Sequence, residues 1–151
     1  MQTRLCLYKN RVSTSFPEPG RDAVLAVDLG GTKTSIALVD RSGRILEKEK
    51  IPAVSIFRDT VGQIGRRDGI AAVGVIVPGI YDPRSGRAWA PNLWGSDFYP
   101  LQPALEERFG MPVAIGSDRT GSVLAEQWLG VARGLADVIF VAVGTGIGVG
   151  S

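Results

Sequence analysis

Two glycine-rich turns each follow an apolar, strand-like run: Asp28-Leu29-Gly30-Gly31-Thr32-Lys33 and Gly144-Thr145-Gly146-Ile147-Gly148-Val149-Gly150. Between them, Ser117-Asp118 stands where a short apolar run meets a helical pattern. A turn without side chains presents backbone N–H groups as a nest for phosphate oxygens. A carboxylate at the carboxyl end of a strand is placed to accept a proton from an attacking hydroxyl. Two such clamps and one such carboxylate suit phosphoryl transfer.

Each element also has a plainer reading. Gly30-Gly31 joins two strands, so it is neither the strand-to-helix dinucleotide fingerprint nor a Walker loop. It is either an ordinary hairpin or a nest in which Thr32 adds a hydroxyl and Lys33 a charge. Asp28 before it and Thr32-Lys33 after it favour phosphate, with Asp28 near a water-bound Mg²⁺. The second turn, Gly144, Thr145 and Gly146, is a phosphate clamp or a flexible tail. Ser117 or Asp118 is a helix N-cap or part of the chemistry, and one residue can do both. Gly79 and Asn92 are loop punctuation or contacts for sugar hydroxyls. Trp89, Trp94 and Trp128 read as core or cover residues, and Trp128, on a helix, is expected to pack.

The elements that carry these residues follow from periodicity. Ala23 to Val27 reads as a strand buried on both faces, Ser35 to Asp40 as a second strand and Arg44 to Pro52 as a charged, edge-like third. A short helix is expected over Thr60 to Arg67, and a buried strand over Ile70 to Val77, stopped by Pro78-Gly79. Leu101 to Phe109 has helical spacing with Gly110 as its cap. Pro112 to Ile115 is a strand, Arg119 to Leu129 a helix, and Val138 to Val143 the last strand. Three consecutive strands suggest antiparallel pairing, and the later alternation suggests parallel strands joined by helices. The class is α/β with a mixed sheet.

Composition narrows the function. A 151-residue chain, 44% hydrophobic and 21% charged, is long and apolar enough for a packed core. A net charge of +2, dispersed along the chain, gives no footprint for nucleic acid. One cysteine and no histidine exclude an intrachain disulfide and a Ser-His-Asp triad. No apolar run approaches the ~20 residues of a membrane span, and residues 1–22 lack a signal-peptide core. A cytoplasmic location is the expectation, with no membrane partner.

Ala26-Val27-Asp28-Leu29-Gly30-Gly31-Thr32-Lys33 resembles the first phosphate motif of the ROK sugar kinases. Val73 to Gly79, Asp82-Pro83 and Ala90-Pro91-Asn92-Leu93 are similar to that family's next segments, in order. Ala132 to Asp137 and Gly144 to Gly148 are similar to its second phosphate region. The resemblance covers roughly residues 23–151.

It implies an actin-like, ribonuclease-H-like ATPase fold and ATP-dependent phosphorylation of a hexose, at O6. It makes Asp118 the general base. Gly79, Asn92, Ser117 and Asp118 would then contact sugar. The turns at Gly30, Gly31, Thr32 and Lys33 and at Gly144, Thr145 and Gly146 would hold ATP phosphates, with Asp28 near Mg²⁺. It implies a leader over 1–22, an N-terminal kinase lobe over 23–137, and the start of a second lobe over 138–151. Family members continue for about as many residues again, so this lobe is expected to be weak or inactive alone. The family's zinc site lies in that second part, and a homodimer is compatible. The alternatives are a sugar-responsive transcriptional regulator fragment, for which the leader is too short and proline-rich, and a decayed protein without ligand. Around the base the family pattern is Glu-Asn-Asp-Ala-Asn. Here it is Gly116-Ser117-Asp118-Arg119-Thr120, so a shorter serine replaces the sugar-binding asparagine.

Overall fold

The computed structural model describes residues 23–53, 70–144 and 147–151. The expected leader (1–22) and the helix expected over Thr60 to Arg67 lie outside these residues. The strands are β1 (Ala23–Leu29), β2 (Lys33–Asp40), β3 (Ile45–Pro52), β4 (Ile70–Val77), β5 (Ile80–Asp82), β6 (Arg87–Trp89), β7 (Val113–Ser117), β8 (Phe140–Val143) and β9 (Ile147–Gly150). The described helices are α1 (Pro91–Trp94), α2 (Leu101–Phe109) and α3 (Asp118–Trp128).

Five strands form one sheet in the order β3-β2-β1-β4-β7. β1, β2 and β3 pair antiparallel, whereas β4 and β7 join parallel to β1. The result is a mixed α/β sheet, as the order of the elements predicts. The charged third strand is the edge. The turn Asp82 to Gly86 closes a separate hairpin, β5–β6, and the second glycine region forms another, β8–β9.

Alternation decides the core. Leu25, Val27 and Leu29 of β1, Ile36 of β2, Val73, Val75 and Val77 of β4, and Ile115 of β7 are all buried on one face. Leu101, Leu105 and Phe109, spaced four apart along α2, are buried with them in one core cluster. Burying each such side chain is worth about 1.5–3 kcal/mol. Gly110 ends α2 in the left-handed region (φ 61°) and donates its N–H to the Glu106 carbonyl, as a C-terminal glycine should.

The other face differs from the expectation for β1. Val24 is 38% exposed and Ala26 half-buried. The reason is coverage: α3 packs beside β4 and β7, and beyond it the described residues leave a shallow depression of about 430 Å³ lined by Ala26, Asp28, Ala37, Gly74 and Ala114. Trp128 also departs from expectation. It is 52% exposed, and Leu124, one turn before it, borders the open depression on the sheet.

Candidate active site

β1, β4 and β7 end side by side, and their register sets the site. Asp28 pairs with Ile76, and Ile76 with Gly116. Two strand spacings of ~4.8 Å therefore separate Asp28 from the strand that delivers Ser117 and Asp118.

Ser117 is the N-cap of α3. Its Oγ accepts from the Thr120 N–H at 3.2 Å and lies 3.0 Å from Thr120 Oγ1. Asp118 is the first helical residue, where a negative charge opposes the positive end of the helix dipole. Its Oδ1 accepts the Arg119 backbone N–H at 2.9 Å. Among the described residues Oδ2 has no hydrogen-bond partner. The two readings of this segment thus divide: Ser117 caps, and Asp118 is presented. Gly121, one turn on, lets α3 close on the sheet, since a Cβ there would stand 2.8 Å from Ile76 Cγ2.

Asp28 lies in an exposed position near the end of β1. Its carboxyl is raised above the usual range, first by partial burial and then by the charge of Asp118; Lys48 and Lys50 oppose the shift. A carboxyl whose ionisation is opposed by a neighbouring carboxylate forms a place for a cation. Mg²⁺, which is held by one or two carboxylates with waters and phosphate oxygens, fits that donor set. The lysines were legible only as an edge pattern. Register brings them in: Asp28 pairs with Ser35 and Ser35 with Lys50, while Ala26 pairs with Ala37 and Ala37 with Lys48.

The first glycine turn is tight. A Cβ at Gly30 would collide with the Lys33 carbonyl, and one at Gly31 would touch Asn92 Cβ at 3.7 Å. The turn therefore meets α1, and the phosphate and sugar candidates become neighbours. Thr32, Lys33 and Asn92 are exposed.

Gly79 has a structural cause that the sequence did not reveal. A Cβ there would strike the Trp89 carbonyl at the end of β6. Gly79 also lines a cavity of about 240 Å³ with Tyr81, Ser117, Arg119, Thr120 and Val149. This cavity and the Asp28 depression are separate, and both are bordered by Ile115 and Gly116.

Gly144 is exposed, with no atom of the described residues within 4 Å of a Cβ built there. Thr145 and Gly146 lie outside the described residues. The later glycines of the run have a packing role: a Cβ at Gly150 would stand 2.8 Å from the Arg119 carbonyl oxygen, and one at Gly148 3.4 Å from Arg119 Cδ. Arg119 and Thr120 are thus site residues that motif reading passed over. Their signal was the departure from the family pattern just after the base.

The family model described as "ROK family" matches residues 24–151. A glucokinase of Streptomyces coelicolor is 35% identical over 135 residues, covering 83% of this chain and 42% of that protein. A proposed xylose repressor of Caldicellulosiruptor is 41% identical over 142 residues, covering 84% of this chain and 35% of that protein. Among solved structures, a ROK family glucokinase from Streptomyces griseus in complex with glucose and AMPPNP superposes with a TM-score of 0.71 at 31% identity. That superposition covers 84% of this chain and 43% of the glucokinase. The chain spans less than half the length of these relatives.

Proposed function

The chain belongs to the ROK family, and from that premise we propose that it supplies the base-bearing half of an ATP-dependent hexose kinase. The carrying observation is that Asp118, with one carboxylate oxygen unpartnered among the described residues, sits close enough to Asp28 to raise its pKa. A catalytic base and a cation-binding carboxylate at the ends of β7 and β1, with β4 between them, are what transfer to an alcohol requires.

In this reading Gly79, Asn92 and Ser117 orient the sugar, and its hydroxyl, taken to be O6, donates its proton to Asp118 Oδ2. The oxygen forms a bond to the γ-phosphorus as the bond to the bridging oxygen breaks, and that electron pair leaves with ADP. Gly30, Gly31, Thr32 and Lys33, with Gly144, Thr145 and Gly146, hold phosphate oxygens through N–H, hydroxyl and ammonium donors. Mg²⁺ at Asp28 neutralises phosphate charge when bound. The matching kinases devote more than half their length to segments beyond the match. Since positioning supplies most of the rate in phosphoryl transfer, these 151 residues alone should bind more readily than they turn over.

Calorimetric titration with glucose, N-acetylmannosamine and Mg·ATP tests the reading, alongside hexose-dependent ADP release. Hexose binding with release far below ~1–100 s⁻¹ is the expected result. An absence of hexose and nucleotide binding would sink it. A second reading, a sugar-responsive regulator, is favoured by the 41% identity to the proposed xylose repressor. Under that reading sugar binds, nucleotide does not, and operator DNA is shifted by the protein.

A further inference from the structure

We infer that Arg119 is a phosphoryl-binding residue, its guanidinium holding oxygens of the transferring group between Asp118 and the β8–β9 hairpin. The inference rests on the kinase reading and adds a catalytic group to it. Two side-chain contacts and one backbone contact place the residue. Its Nε lies 3.6 Å from Asp118 Oδ1. Its stem runs along Gly148, and its backbone lies against Gly150, where no side chain would fit. It also lines the cavity that holds Gly79 and Ser117.

The stem is therefore seated while the head remains available. A separation of 3.6 Å exceeds the ~2.7–2.9 Å of a charge-assisted hydrogen bond. Among the described residues the guanidinium makes no hydrogen bond, although it carries five donors. An arginine used only to neutralise Asp118 would close that gap with a fork on the carboxylate, as bidentate pairs do. Here it stands off, with Oδ2 and the fork unpartnered among the described residues.

The chemistry supplies the occupant. A hydroxyl held by Asp118 lies ~2.6–3.2 Å from the carboxylate, and the phosphorus it attacks lies ~3–3.5 Å beyond. A guanidinium beside the same carboxylate reaches the equatorial oxygens of that phosphorus, where charge is spread in the transition state. It supplies charge and hydrogen bonds and transfers no proton. It also offsets the crowding of Asp28, Asp118 and phosphate charges in one place.

The source of the anion is either the nucleotide triphosphate or an anionic group on the sugar, and binding separates them. The probes are inorganic tripolyphosphate, a non-hydrolysable ATP analogue with Mg²⁺, glucose and glucose 6-phosphate. They are titrated into the wild-type chain, Arg119→Ala and Arg119→Lys, with circular dichroism to confirm folding. The expected result is a loss of tripolyphosphate and analogue affinity in Arg119→Ala of about 10-fold or more. Arg119→Lys should recover part of it, and glucose affinity should fall less than nucleotide affinity in both variants. Equal nucleotide affinity in all three proteins overturns the inference and leaves the kinase reading intact. So does a loss confined to glucose 6-phosphate, which would place Arg119 in the sugar subsite. A wild-type chain that binds neither nucleotide nor tripolyphosphate overturns both.

Discussion

Asp28 and Asp118, ninety residues apart in the chain, share one electrostatic neighbourhood: the charge of Asp118 raises the pKa of Asp28. The pairing is made by two strand registers, Asp28 to Ile76 and Ile76 to Gly116, and by the single step from β7 into α3.

The first prediction concerns that coupling. Asp28 should titrate above the ordinary carboxylate value of 3.8, and Asp118→Asn should move it back down. Carboxyl-carbon NMR across pH 3–7 measures this. The sign for stability follows. A folded-state pKa raised above the unfolded one favours the folded protein while the group is protonated. That advantage is lost as pH rises through the folded value. Asp28→Asn should therefore hold or raise the melting temperature at pH 7 while weakening Mg·nucleotide binding. A variant that melts lower at neutral pH contradicts the assignment.

Asp40 behaves in the opposite sense. Its Oδ1 accepts from the Ser42 N–H at 2.9 Å, the Ser42 hydroxyl at 2.6 Å and the Arg44 N–H at 3.0 Å. The Ser42 hydroxyl contact is the leading cause, and the carboxyl is lowered to about 2. A depressed pKa contributes stability above the unfolded value of 3.8 that is lost as pH falls toward 2. The difference in urea midpoint between wild type and Asp40→Asn should shrink over that window. A difference that is the same at pH 6 and pH 2 would count against it.

Capping and recognition at Ser117 can be separated. Ser117→Ala removes the cap on Thr120 and should cost about 1 kcal/mol, seen as a lower melting temperature. Ser117→Asn keeps a capping oxygen and restores the family's longer side chain. Thermal stability should hold while hexose affinity rises, as read by calorimetry.

Two glycines give opposite outcomes. Gly79→Ala drives a methyl into the Trp89 carbonyl and should destabilise by about 1–3 kcal/mol. Gly74→Ala meets no atom of the described residues within 4 Å and should be neutral, or stabilising by up to ~1 kcal/mol. Denaturant melts of the two variants decide it, and equal midpoints would refute the packing account of Gly79.

The base itself is tested by Asp118→Asn in a form of the protein with measurable turnover. Hexose phosphorylation should fall about 10²–10⁴-fold with hexose affinity retained within a few-fold. A fall in affinity with unchanged turnover would make Asp118 a binding residue only.

By itself the sequence determined the five strands of the main sheet, the α2 and α3 helices and the family, because these are local, whereas the short strands β5, β6 and β9 were not legible in it. Alternating Leu25, Val27 and Leu29, the i, i+4 series Leu101, Leu105 and Phe109, and the turn chemistry of Gly30-Gly31 act over a few residues. Tertiary structure decided what each candidate residue meets. That β1 is open on one face, that Lys48 and Lys50 answer Asp28, that Gly79 yields to a carbonyl and that Gly148 and Gly150 yield to Arg119 all depend on long-range register and helix approach. Strand pairing and packing are set by contacts between segments far apart in the chain, and a pattern read along one segment does not contain its neighbour.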